Sequence, residues 1–220
     1  MSIRIETEYP VAIDSPDHIA PHGTKNDNHT CTLLLQELDE YFKKRYSLMD
    51  LGCAGGQFII DANKVFGQTA IGLEGSDYRL KNGCSNWAKY HNKYLFNCDI
   101  SRPFRIYQDE EPMLFDCITS WEFLEHIAED RMETVLLNVA THLKEDGIFI
   151  GQYATTPDVP GSTQACSLAG VPYMELHQTI RNPPWWDEQF ARFFVSLGEY
   201  PFYGGVRDEG ESIRYFLRKK

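Results

Sequence analysis

Short apolar runs alternate along the chain with segments whose apolar residues recur at helical spacing. Residues 47–51, 69–74, 94–98, 115–120 and 147–154 each read as a strand. Between the last two, Met132, Val135, Leu136, Val139 and Leu143 follow a helical period, and Gly147 is placed to end that helix region. Thr30 can cap an earlier helix carrying Leu34, Leu38, Tyr41 and Phe42 on one side, and Gln57 to Phe66 forms an amphipathic run. Near the end, Trp186 to Leu197 predicts a helix, while Glu199–Tyr203 and Ser212–Leu217 predict a terminal hairpin. Strands alternating with helices in this way imply an α/β fold with a mostly parallel sheet covered on both faces. No repeat or low-complexity tract interrupts it.

The first strand ends in Asp50 and opens into Gly52, Cys53, Ala54, Gly55 and Gly56 before the Gln57 helix. Small residues here let main chain approach a ligand, and the helix start presents free N–H groups, so the turn is a nucleotide-type cradle. It is not a dinucleotide fingerprint. Counting from Gly52, Ala54 and Gln57 stand where Gly-x-Gly-x-x-Gly requires glycine. Asp50 would repel a pyrophosphate but can hold the ammonium of an amino-acid moiety, directly or through water. This acid-x-Gly-x-small-Gly-Gly turn resembles motif I of the class I S-adenosylmethionine-dependent methyltransferases.

Later segments fall in the order that family shows. Glu74, at the end of Ala70-Ile-Gly-Leu-Glu, can accept both hydroxyls of a ribose. The resemblance places Asp99 at the adenine amino group with Ile100 near the ring, and includes Trp121 among the cofactor contacts; a turn cap before Ser101-Arg102-Pro103 is the simpler role for Asp99. It implies a Rossmann-like class I fold, a mostly parallel seven-stranded sheet with helices on both faces and an antiparallel last strand.

The fourth strand leads into Trp121-Glu122-Phe-Leu-Glu125-His126. If the chain turns helical there, Glu122, Glu125 and His126 share one face at the edge where open α/β sheets bind ligands. The trio can hold a divalent cation, or leave His126 as a general base with a glutamate fixing its tautomer. Alternatively Glu122 caps the helix and His126 packs under the cofactor. The Glu-x-x-Glu-His spacing resembles that of ubiquinone-biosynthesis O-methyltransferases and of small-RNA 2′-O-methyltransferases, where the resemblance implies a metal, here Mg²⁺ or Mn²⁺. His177 is the candidate for a fourth metal ligand or an acceptor contact, although Pro183, Pro184 and the two tryptophans can simply anchor the next helix. The catalytic set is thus His126, Glu122, Glu125 and His177.

At 220 residues with 42% hydrophobic content the chain predicts one methyltransferase domain. Residues 1–29 form an N-terminal arm, 30–154 the cofactor-binding core and 155–220 an acceptor-side loop, helix and hairpin. The arm carries three of the seven histidines and is a candidate lid, in which Lys25 would meet a carboxylate and His22 an acceptor oxygen. Cysteines 31, 53, 84, 98, 117 and 166 make no Cys-x-x-Cys pair and read as reduced. The start lacks a signal-peptide core and no run approaches 18 apolar residues, which predicts a cytoplasmic protein with no membrane partner. Net charge of −11 disfavours a long nucleic-acid footprint and favours a small-molecule acceptor. The expected activity is O-methylation of a small polar metabolite such as a sugar. The alternatives are metal-dependent 2′-O-methylation of an RNA end, non-catalytic binding of S-adenosylmethionine, and an NAD-dependent enzyme.

Overall fold

A computed structural model describes residues 2–157, 175–205 and 212–220. Seven strands form the main sheet: β2 (Ser47–Leu51), β3 (Thr69–Glu74), β4 (Leu95–Asn97), β7 (Phe115–Trp121), β8 (Leu143–Ala154), β9 (Phe194–Ser196) and β10 (Ser212–Lys219). Their order is β4-β3-β2-β7-β8-β10-β9. The pairings from β4 through β8 are parallel, and β10 runs antiparallel to both β8 and β9. This is the mostly parallel α/β sheet with an antiparallel last strand that the sequence implies.

Both faces are covered, and residues alternate between them. Leu48 packs in one cluster with Leu34, Leu35 and Leu38 of α3 (Thr32–Phe42), Ile59 of α4 (Gln57–Lys64) and Trp87 of α6 (Ser85–Tyr90). Met49 packs in the other with Met132, Val135 and Leu136 of α7 (Glu129–His142) and Trp186 of α8 (Pro183–Phe190). At the sheet's N-terminal edge Asp116 joins neighbouring strands by accepting from Ser47 N (2.9 Å) and from Lys144 Nζ (2.7 Å).

The structure departs from expectation in four places. Helix α8 spans Pro183–Phe190, not 186–197, because the Asn182 side chain caps it by accepting from Trp185 N (3.2 Å) and Pro183 and Pro184 fix its start. Phe194 and Val195, read as helical, instead pair with β10, so β9 replaces the 199–203 strand. Residues 203 and 204 are tied instead to α3, both backbone N–H groups donating to the Glu37 carboxylate. Helix α7 ends at His142, and Gly147 lies inside β8, where a Cβ would meet the Phe115 carbonyl at 2.9 Å. Cys31, not Thr30, caps α3, its Sγ accepting from Leu34 N at 3.5 Å.

A second sheet went unread in the sequence. Strand β1 (Ile3–Glu6) pairs antiparallel with β5 (Arg105–Gln108), which pairs with β6 (Glu111–Pro112). The N-terminal arm is thereby anchored at its start. It continues through α1 (Pro16–Ile19) and α2 (His22–Asn26), while α5 (Tyr78–Lys81) follows β3.

Gly151 lies where β8 runs between β7 and β10, and a Cβ there would come within 1.8 Å of the Ser120 carbonyl oxygen and 2.5 Å of Tyr215 Oη. Gly151→Ala is expected to destabilise the protein by about 3 kcal/mol or more, measured by equilibrium denaturant unfolding.

Candidate functional site

The parallel strands end on a cavity of about 760 Å³, walled by Gly52, Ala54, Glu74, Gly75, Asp99, Ile100, Trp121, Phe123, His126 and His177, and by arm residues from Ala12 to Asp27. Strand β2 delivers the glycine turn. Gly52 and Gly56 adopt φ of 72° and 77°, and a Cβ on Gly52 would strike the Phe123 ring at 2.7 Å. Glu74, at the end of β3, clasps this turn: its Oε2 accepts from Ala54 N (2.9 Å) and its Oε1 from Ser76 N (3.0 Å). Thr24 Oγ1, from the arm, donates to the same Oε1 at 3.4 Å. Burial pushes the Glu74 carboxyl up to about 7, against the pull of those N–H groups.

Other expected cofactor residues divide. Ile100 lines the cavity, and so does Asp99, whose Oδ1 caps a turn by accepting from Ser101 N (3.0 Å) and Ser101 Oγ (2.6 Å). Asn138 of α7 holds that loop by donating to the carbonyls of Ile100 and Arg102. Trp121 lines the wall while its ring packs edge-on against Tyr200. Asp50 is 6% exposed and lies behind the turn, its Oδ1 accepting from Thr119 Oγ1 at 2.6 Å. Cys53, Gly55 and Gly56 likewise stand behind the cavity wall: Cys53 is buried against Gly72, and Gly55 N donates to Asp27 O (2.9 Å) under the arm.

The catalytic candidates separate too. After β7 the chain takes φ +46° at Glu122 and a short 3₁₀ turn, Leu124–His126, so the expected helical face does not form. Glu122 lines the cavity, yet its Oε1 is held by Gln152 Nε2 (2.6 Å) and Ser212 Oγ (3.0 Å). Glu125 is fully buried and ties the wall together. Its Oε1 accepts from Ala154 N (3.0 Å), and its carbonyl accepts from Gln178 N (2.7 Å) and Thr179 N (2.9 Å), fixing the segment that carries His177. Burial and the Glu122 carboxylate push the Glu125 carboxyl well above the usual range, against the pull of the His126 imidazole. His126 and His177 meet edge to face with ring centres 4.9 Å apart, and one ligand atom from each of Glu125, His126 and His177 lies within 4.8 Å of the others. His177 Nδ1 is 2.7 Å from the Thr156 carbonyl, and His126 Nδ1 is 2.9 Å from Asp17 Oδ2.

A sequence model described as a methyltransferase domain matches residues 24–198, most of the chain. The chain belongs to the methyltransferase-domain family. The solved structures it resembles agree in fold. They include the PH0226 protein of Pyrococcus horikoshii (15% identity, 97% of this chain and 96% of that one, TM-score 0.58) and an S-adenosylmethionine-dependent methyltransferase of Clostridium acetobutylicum (13%, 86% and 89%, 0.59). A third is the N-methyltransferase NodS of Bradyrhizobium japonicum with S-adenosylhomocysteine (13%, 97% and 93%, 0.52). A search of curated proteins gives no match.

This methyltransferase is an enzyme of the class I, S-adenosylmethionine-dependent kind. Its cavity fits that cofactor: a side-chain-free turn for close approach, a buried carboxylate at the end of β3 suited to a diol, and the Asp99–Ile100 loop beyond it. Sequence reading passed over Asp17, Thr24 and Asn28, whose Oδ1 accepts from Gln57 N (3.1 Å) at the start of α4. A Ser-Pro-Asp helix start, with Ser15 Oγ accepting from His18 N, was the signal available for the first of these. Lys25 is exposed and does not line the cavity; the His22 side chain lies outside the described set, as do residues 158–174 with Cys166. The remaining cysteines are unpaired thiols. No helix among the described residues is long and apolar enough to cross a membrane.

Glu74 titrates near 7 when folded and near 4.5 when unfolded, so the folded protein holds an extra proton between those values. That contribution is present below about pH 4.5 and lost as pH rises through 7. Relative to Glu74→Gln, the ligand-free wild type is expected to lose ~3 kcal/mol of stability between pH 4.5 and 8, read from denaturant melts across pH.

Proposed function

We propose that this methyltransferase transfers a methyl group to an oxygen of a small polar acceptor, such as a sugar, with His126 receiving the acceptor's proton. The convergence of His126 and His177 on one wall of the cavity carries the reading. When bound, S-adenosylmethionine supplies an activated methyl on a sulfonium. A hydroxyl is a poor nucleophile until its proton is drawn off, whereas an amine needs less help. A neutral imidazole has the lone pair for that task.

The remaining residues hold and orient. The carbonyl of Thr156 can only accept, so the His177 Nδ1 in contact with it is the protonated nitrogen. Thr156 and Gln178 complete a hydrogen-bonding wall suited to hydroxyl groups. Glu74 and the Asp99 loop would seat the cofactor, and alignment of the acceptor there supplies most of the acceleration, roughly 7–11 kcal/mol. NodS is named an N-methyltransferase, but at 13% identity the likeness carries the fold alone. The net charge of −11 supports a small acceptor over an RNA end.

A second reading rests on the grouping of Glu125, His126 and His177. Glu125 Oε2 is buried with no hydrogen-bond partner among the described residues, and two imidazoles with one carboxylate suit Mn²⁺ better than Mg²⁺, which prefers oxygen ligands. Glu122 stands outside this set, so the four-ligand arrangement expected for RNA-end methylation is reduced to three. A bound ion would lower the pKa of the acceptor hydroxyl.

The test is methyl transfer from labelled S-adenosylmethionine to a panel of sugars and other hydroxylated metabolites, with and without chelator. His126→Gln is expected to lower kcat by roughly 10²–10⁴-fold while S-adenosylhomocysteine still binds. An unchanged kcat would return His126 to packing, and loss of activity with chelator, restored by Mn²⁺, would favour the metal.

A further inference from the structure

Asp17 lies 109 residues from His126 in sequence, yet its Oδ2 stands 2.9 Å from His126 Nδ1. Both side chains are mostly covered, 23% and 19% exposed. An ionised carboxylate only accepts, so the proton between them belongs to Nδ1, and the lone pair of the neutral ring belongs to Nε2. Neighbouring groups also have hydrogen bonds of their own, and the Glu125 carboxylate acts electrostatically on the same ring. Glu125 Oε1 takes Ala154 N, Glu122 Oε1 takes Gln152 and Ser212, and His177 Nδ1 meets Thr156.

The segment carrying Asp17 is fastened to the loops that form the cofactor side of the cavity. Asp99 N donates to Tyr9 O (2.9 Å), and Ala12 N donates to Gly75 O (2.9 Å). Thr24 meets Glu74, and Arg79 of α5 donates to the carbonyls of Thr24 and Asp27. The same arm residues that cover the cavity therefore set the position of Asp17. Any displacement of the arm removes the acceptor from His126 Nδ1.

Resting on the reading of His126 as the proton acceptor, we propose that Asp17 is the positioning residue of that base. The N-terminal arm thereby completes the catalytic geometry only when it is docked over the cavity. Asp17 holds the imidazole in the Nδ1–H tautomer and fixes its ring plane, which makes Nε2 the basic nitrogen toward an acceptor's proton. No bond to Asp17 forms or breaks in the reaction: with S-adenosylmethionine bound, the acceptor oxygen would bond to the methyl as the methyl–sulfur bond breaks, sulfur would keep the electron pair as the thioether S-adenosylhomocysteine, and the oxygen's proton would pass to Nε2. Covering the cavity and readying the base become one event, which confines proton transfer to the closed site.

The test is long-range ¹H–¹⁵N correlation NMR of the full-length, ¹⁵N-labelled protein at about pH 8, with the His126 ring assigned through His126→Gln. The wild type is expected to show the Nδ1–H form, and Asp17→Ala to shift His126 toward Nε2–H while leaving His177 as it was. With an accepted substrate, Asp17→Ala is expected to lower kcat on the order of 10²-fold with KM little changed, and Asp17→Glu to recover part of the loss. Thermal stabilisation by S-adenosylhomocysteine reports that each variant is folded. A wild-type His126 in the Nε2–H form overturns the proposal whatever the variants do, and so does an Asp17→Ala spectrum identical to wild type. Absence of S-adenosylhomocysteine binding together with the expected tautomers would overturn the methyltransferase reading and leave the Asp17–His126 pairing supported.

Discussion

The site depends on one buried carboxylate. Glu74 reaches the glycine turn through Ala54 N, its own following loop through Ser76 N, and the N-terminal arm through Thr24 Oγ1. Three segments distant in sequence are thus drawn to one group at the carboxyl end of β3. Keeping an acid in that position is costly, as its displacement up to about 7 shows. On the proposed reading that cost has a use, since a carboxylate can accept both hydroxyls of a ribose where an apolar side chain could accept neither.

A second buried acid organises the opposite wall in a different way. Glu125 works mainly through its backbone and one oxygen, binding the end of β8 and the Gln178–Thr179 segment to the turn after β7. Thr179 Oγ1 donates to the Ile127 carbonyl at 2.7 Å and closes the same corner. His126 and His177 are therefore held against each other by main-chain contacts, and the cavity lies between this rigid wall and the Glu74 side. The arm spans both.

Much of this was legible in the chain. The β2–turn–α4 unit was read to within two residues because three local signals coincide there: an apolar strand, a turn of small residues and an amphipathic run. The place of Glu74 on the cavity wall was legible because a carboxylate ending an apolar strand stands at the edge where open α/β sheets bind ligands. What escaped is non-local. Nothing near Asp17 in sequence announces a histidine 109 residues away. Strand β1 is four residues with alternating exposure, and its partner β5 lies a hundred positions on. Phe194 and Val195 fit a helical period as well as a strand, and the β10 edge decided between them. The Glu-x-x-Glu-His spacing predicted a shared helical face, but the left-handed backbone at Glu122 and the 3₁₀ turn send Glu122 and Glu125 in different directions.

Calorimetric titration with S-adenosylhomocysteine, on the wild type and on Glu74→Ala, tests the central claim most directly. A cofactor site organised by Glu74 predicts one-to-one binding by the wild type and its loss in the variant. Binding that is equally tight in both would remove Glu74 from the centre of the site, and no binding to the wild type would contradict the account as a whole.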